Sequence, residues 1–300
     1  MSRAQAAAVE DLLREGPLDL GGNLAEQRSL LESLMASSPL PRAVTTSTGN
    51  LGAVATVEVT PSSAAVSGVV LYFHGGAYAL GSAQAGAGVL AEIASRTRRI
   101  GISVENRLAP EHPFPAALDD ALAAYRGLIE RGANPADIVI AGESSGGGLA
   151  LSLLQALQQR GDEQPAAAVV FSPWADLTVS GQSVIDRADV DPALTAQALQ
   201  VRAVDYAADT PLDTPALSPL FGNFKGLPPL LIQVGSHEIL LDDSLRVAVG
   251  AATADVAVTL EVTPRVPHVF QGFASTLEEG AAALDSAASF ITRHLTRSES

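Results

Sequence analysis

Ile140-Ala141-Gly142-Glu143-Ser144-Ser145-Gly146-Gly147 is the stretch on which the fold turns. A glycine stands two residues to either side of Ser144, the G-x-S-x-G pattern of a sharp turn that carries a strained, exposed serine from a strand into a helix. The flanks supply both elements: residues 137–141 are a short apolar run of strand type, and residues 149–157 are strong helix formers. Centring the pattern on Ser145 would put Glu143 where a glycine is needed, so Ser144 is the candidate nucleophile. Alone, the pattern would be an ordinary turn in a chain rich in alanine, glycine and serine. The strand and helix around it, and His74-Gly75-Gly76-Ala77 upstream, set it apart.

Around this turn, strands and helices alternate. Strands are predicted over 54–60, 68–73, 100–105, 137–141, 166–172, 229–235 and 256–263, and helices over 88–99, 116–131, 147–160, 243–253 and 275–295. Such alternation implies a mostly parallel sheet covered by helices on both faces. Two further helices, over 4–15 and 24–35, precede the sheet. The alternation breaks at about 176–222, a segment with one helical stretch over 192–208 and a proline-rich exit, too long for a plain connection. It reads as an insertion forming a lid. The chain thus divides into 1–45, 46–175, 176–222 and 223–300, with the second and fourth parts forming the catalytic body.

Composition narrows the chemistry. With 47% hydrophobic residues the chain can bury a large core, and no apolar run approaches the roughly 18 residues of a membrane span. The N-terminus meets acidic residues before any sufficient apolar stretch, which predicts a cytoplasmic protein rather than an exported one. The absence of cysteine excludes disulfides, thiolate metal sites and a cysteine nucleophile. A net charge of −15 opposes binding to nucleic acid or to an anionic membrane. Lys225 is the single lysine and offers no Schiff-base site, and no histidine pair has the H-E-x-x-H spacing of a metal hydrolase. The remaining chemistry is that of a serine and needs neither metal nor cofactor.

A serine attacking an ester carbonyl creates an oxyanion, which preoriented backbone N–H groups must meet. Gly75, Gly76 and Ala77 follow a predicted strand and offer such donors, and Ser145, directly after the nucleophile, offers another. The general base must be one of five histidines. His74 belongs to the oxyanion segment, His112 sits in a proline-flanked loop before the turn, and His294 lies in the last helix as a solvated residue. His237 is harder to set aside. His268 follows the last predicted strand, where the chain order nucleophile, acid, histidine puts the base. Between Ser144 and His268, the segment after the 229–235 strand offers Glu238, Asp242 and Asp243 as the acid. Glu238 lies nearest the strand end and is preferred. N-capping of the next helix would account for one of the aspartates, and Asp242 stays open as the alternative acid.

These blocks resemble the hormone-sensitive lipase family of α/β hydrolases, the bacterial family IV esterases. His74-Gly75-Gly76-Ala77-Tyr78 is similar to its oxyanion block, Asn106-Arg107-Leu108-Ala109-Pro110-Glu111-His112-Pro113 to its block after the third core strand, and 142–147 to its elbow. The resemblance spans about 68–275. It implies an α/β-hydrolase fold with a small helical cap built from 1–45 and 176–222, and a Ser144, His268, Glu238 triad with N–H donors at Gly76, Ala77 and Ser145. It also implies hydrolysis of short- to medium-chain acyl esters through an acyl-enzyme, and homodimers formed through a sheet edge. Four positions depart from the family pattern: Ala77 replaces glycine, Glu143 replaces Asp or Thr, Ser145 replaces alanine and Asn106 replaces tyrosine. A lactone hydrolase or an acyltransferase would use the same triad. A non-catalytic binding protein, for which the fold is also used, would be expected to lack one of its members.

Overall fold

The computed structural model describes residues 3–36, 40–41, 43–64 and 67–295. Eight strands form one sheet in the order β1-β2-β4-β3-β5-β6-β7-β8. They are β1 (Val44–Leu51), β2 (Val54–Pro61), β3 (Val69–Phe73), β4 (Ile100–Val104), β5 (Ile138–Glu143), β6 (Ala167–Phe171), β7 (Leu230–Gly235) and β8 (Val258–Thr263). β1 and β2 form an antiparallel hairpin and β2 runs antiparallel to β4, while every later pairing is parallel. The central strands β3, β5, β6 and β7 are buried almost throughout, which is why they read as unbroken apolar runs.

β1 was not predicted. Its Thr-Thr-Ser-Thr-Gly-Asn sequence lies mostly exposed at the sheet edge, where no apolar alternation is required. The boundary drawn after residue 45 falls inside this strand.

Helices cover both faces. α3 (Ala83–Thr97) and α9 (Glu278–Leu295) pack one side through Leu90, Ile93, Leu284 and Ile291. The other side carries α4 (Ala116–Glu130), α5 (Ser145–Arg160) and α8 (Leu241–Thr253). α3 begins five residues before the predicted start because Ser82 caps it, accepting from the Ala85 N–H at 3.1 Å. The two leading helices, α1 (Arg3–Glu15) and α2 (Leu24–Ala36), form as predicted. Val9 of α1 packs with Val266 and Phe270, on either side of His268. Among the described residues no helix is long and apolar enough to cross a membrane.

The 176–222 segment contains the short α6 (Ser183–Asp186) and α7 (Ala196–Ala207), the latter capped by Thr195. It is fused to the body rather than laid on it, since Leu177, Leu194, Leu199, Ala203, Tyr206 and Leu217 all join the core under α4 and α5.

Polar side chains lock the long loops at the C-terminal ends of the strands. Arg28 of α2 donates to the Ala79 and Ala109 carbonyls, each at 2.8 Å, and pairs with Glu111. Asp120 of α4 holds the loop after β4, accepting from the Arg107 backbone N–H at 2.8 Å and pairing with the Arg107 guanidinium at 2.9 Å. Asp120→Ala is expected to cost about 2 kcal/mol, because the pair and a charge-assisted backbone bond go together. Asp119→Ala, at the exposed neighbour, should stay within about 1 kcal/mol. Urea denaturation of both variants checks the contrast, and equal losses would contradict it.

Candidate active site

The turn between β5 and α5 places Ser144 at φ 53° and ψ −123°, a conformation that L-residues rarely adopt. It is held by the Ser144 N–H donating to the Phe171 carbonyl at 2.9 Å and by the Ser144 carbonyl accepting from Trp174 at 2.9 Å and from Gly148 at 3.0 Å. The flanking glycines are needed because a β-carbon on Gly146 would overlap the Phe73 carbonyl, and one on Gly142 would overlap the Gly146 carbonyl. Ser145 begins α5, so its N–H sits at the positive end of the helix.

The segment after β3 turns back through three left-handed residues, Gly76 at φ 117°, Ala77 at φ 52° and Tyr78 at φ 60°. Only glycine fits the first, since a β-carbon there would strike the Leu80 carbonyl. Ala77 holds its left-handed conformation while buried, next to Tyr78, whose ring stacks on Tyr206 of α7 at 3.8 Å. Among the described residues, the N–H groups of Gly76, Ala77 and Ser145 donate to no protein acceptor. Gly75 corrects the sequence reading. Its N–H donates to the Glu143 carboxylate at 3.1 Å and is not available to an oxyanion.

His268 and Glu238 are brought together from the loops after β8 and β7, with Nδ1 of the imidazole 2.7 Å from Glu238 Oε2. The acceptor is a carboxylate, so Nδ1 carries the proton and Nε2 is left unprotonated. Glu238 is fully buried, and its other oxygen accepts from the Ser172 hydroxyl and from the Gly235 N–H, both at 2.7 Å. Ser172 also accepts from the N–H of Val269, next to His268, at 3.2 Å. One hydroxyl thus ties Glu238 and the neighbour of His268 to the end of β6, whose Phe171 carbonyl already holds Ser144. No hydrogen bond joins Ser144 to His268 among the described residues. Such bonds tighten when substrate binds.

The other candidates are placed elsewhere. Asp242 accepts from the Ser183 N–H at 2.9 Å. Asp243 accepts from the Ala175 and Asp176 N–H groups at 2.8 and 2.9 Å, and pairs with Arg246. Neither caps α8, which has no side-chain cap, so the capping expectation fails. His74 is buried with Nδ1 donating to the Gly75 carbonyl at 2.7 Å, and burial lowers its pKa and keeps it neutral. His112 is exposed and His237 half-buried, its backbone N–H donating to Val266. His294 is not simply solvated: its ring packs at a tilt of 42° against Phe290, with Nδ1 donating to the Phe290 carbonyl.

Burial alone would lower the His268 pKa, but the charge and hydrogen bond of Glu238 outweigh it and the pKa is raised. Asp191 and Glu143 add to the same effect. Burial pushes Glu143 up to about 7, against the opposing pull of the Gly75 N–H and of His268. Its second oxygen accepts from the Tyr72 hydroxyl.

Sequence reasoning missed Ser172, Asp191 and the role of Glu143. A serine at the rim end of a strand was a readable sign for the first. For Glu143 the readable sign was its place inside the elbow, where it departs from Asp or Thr, and nothing local marked Asp191.

Residues 70–272 match the family described as alpha/beta hydrolase fold. An acetyl-hydrolase of Streptomyces hygroscopicus is 42% identical over 222 residues, covering 74% of each chain. An esterase of Acinetobacter venetianus is 39% identical over 237 residues, covering 78% of each. Among solved structures, an esterase from the bacterial hormone-sensitive lipase family superposes with a TM-score of 0.95 at 34% identity, covering 98% of this chain and 99% of the other. With its elbow and its mostly parallel sheet, the chain belongs to the alpha/beta hydrolase fold family and, within it, to the bacterial hormone-sensitive lipase group.

Proposed function

We propose that the chain is a carboxylic ester hydrolase in which Ser144, His268 and Glu238 form the triad. The observation that carries this reading is the 2.7 Å bond from His268 Nδ1 to the buried Glu238 carboxylate, which leaves Nε2 to serve the strained Ser144. In the first half-reaction Ser144 Oγ attacks the acyl carbon and its proton passes to His268 Nε2. The N–H groups of Gly76, Ala77 and Ser145 meet the oxyanion, His268 returns the proton to the leaving alcohol, and the acyl-enzyme remains. Water, activated by the same imidazole, then releases the acid.

The substrate is a small ester with a short to medium acyl chain. Support comes from the acetyl-hydrolase relative. The N-terminal helices and the 176–222 insertion act as the cap, a role supported by Arg28 reaching the Ala79 carbonyl next to that loop. A second copy pairs along the β8 edge, where Leu260 and Val262 are exposed; a sedimentation mass of one chain would remove this. The cysteine-free composition is compatible with a cytoplasmic site of action, which cell fractionation tests.

Wild type should hydrolyse p-nitrophenyl acetate and butyrate and lose rate towards palmitate. Ser144→Ala should lose the reaction, by about a thousandfold or more in kcat, while Ser145→Ala keeps most of it because its donor is the backbone N–H. Activity retained in Ser144→Ala would sink the assignment.

His268 must be neutral to accept a proton, so kcat/KM should rise with pH through a pKa above the ordinary histidine value of 6.5, the direction in which Glu238 moves it. Glu238→Gln should shift that limb to lower pH and cost about a hundredfold or more in kcat, whereas Asp242→Asn should leave the limb in place. pH–rate profiles of the two variants decide between the carboxylates, and the opposite ranking would move the acid to Asp242.

A further inference from the structure

Ile239, the residue after Glu238, has both of its backbone polar groups bonded to the 176–222 insertion. Its N–H donates to Asp191 Oδ2 at 2.7 Å, and its carbonyl accepts from the Ser183 hydroxyl at 2.6 Å. Ser183 holds the same loop one turn on, its N–H donating to Asp242 Oδ2 and its Oγ accepting from the Asp242 N–H, each at 2.9 Å. Asp191 Oδ1 accepts from the Ala193 and Leu194 N–H groups, both at 2.8 Å. The Asp191 carboxylate is therefore buried on three backbone donors, and among the described residues no lysine or arginine pairs with it. A buried carboxylate with no cation is costly unless its geometry is fully satisfied, so its place is well determined.

We propose that Asp191 is a positioning residue of the triad, through which the insertion sets the place of Glu238 and hence of His268. The proposal rests on the triad reading given above. Glu238, from the loop after β7, bonds the imidazole directly, and the charges of Asp191 in the insertion and Glu143 in the elbow act on it in the same direction. Only Asp191 belongs to the segment that covers the substrate, so displacement of that segment would move both the backbone bond behind Glu238 and one of the charges acting on His268. Cap and charge-relay pair are then mechanically and electrostatically one unit.

The test compares wild type, Asp191→Asn, Asp191→Glu and Ser183→Ala. The readouts are the His268 imidazole pKa by NMR, kcat and KM on p-nitrophenyl acetate against pH, and the melting temperature. Asp191→Asn should lower the His268 pKa and reduce kcat about tenfold or more, because the charge goes and Ile239 N–H faces an amide. Asp191→Glu keeps the charge but misplaces it, and should lose kcat while His268 stays raised. Ser183→Ala breaks the carbonyl-side bond without touching charge, and should lower kcat without moving the pKa. A lower melting temperature with wild-type kcat and wild-type His268 pKa would show a merely structural residue and overturn the proposal. If Asp191→Asn does not fold, unchanged kcat in both remaining variants does the same. Absence of ester hydrolysis by wild type would instead sink the triad reading, and the NMR titration would still report the coupling of Asp191 to His268.

Discussion

The Glu238 carboxylate is withdrawn from water entirely, and most of the site's geometry follows from what must be assembled to keep it there. An unpaired buried carboxylate costs several kcal/mol. Here the imidazole of His268, the hydroxyl of Ser172 and the N–H of Gly235 converge on its two oxygens. These donors come from the ends of β8, β6 and β7, so the parallel register of the sheet is what lets them meet. The insertion closes the arrangement from behind by bonding Ile239 on both sides. Once the loops are drawn to this one group, His268 has one nitrogen committed and one free.

Rigid backbone strain complements that polar focus. Among the described residues ten non-glycine residues have positive φ, and five of them, Ala77, Tyr78, Ser144, Ser172 and Val269, belong to the oxyanion loop, the elbow and the base and acid supports. Each such residue is disfavoured by about 1–2 kcal/mol, so the fold must oppose relaxation at every one. It does so with packing: Ala77 and Tyr78 are buried against Tyr206 and Trp174, and the elbow is pressed against the Phe73 carbonyl with no room for a side chain at Gly146. On the proposed mechanism, donors fixed in this way would need little reorganisation when charge develops on the substrate.

What could be read from the chain alone is what sequence neighbours determine. The elbow was legible because strand, turn and helix are contiguous around Ser144, and the meeting of His268 with Glu238 because each follows a strand that the sequence marks. β1 was not, since Thr45 to Asn50 lie at an exposed edge and carry no apolar pattern. Asp243 stands in the first turn of α8 as its position suggested, yet it caps nothing there and instead holds the N–H groups of Ala175 and Asp176 in the loop after β6. A tertiary contact overrode the local preference there. Gly75 fitted the donor pattern until its N–H was seen to be taken by Glu143, a residue 68 positions away. Ser172 and Asp191 act over separations of 66 and 48 residues, and such pairings leave no periodic trace in a single sequence.

Glu143 shows how closely opposed demands are packed around the nucleophile. Its carboxyl bridges the oxyanion loop, through Gly75, and the core of β3, through Tyr72, while standing within the field of His268. On the proposed mechanism, ionised Glu143 favours the imidazolium that would form as Ser144 gives up its proton, but puts negative charge behind the loop that would receive an oxyanion. When neutral it relieves the oxyanion and leaves the imidazolium to Glu238 and Asp191. Burial brings its pKa to about 7, between these two states. Tyr72 can donate to a carboxylate or accept from a carboxylic acid, so the bridge survives in either form. The hydrogen bonds that tie the loop after β3 to Glu143 are therefore compatible with either form of the carboxyl.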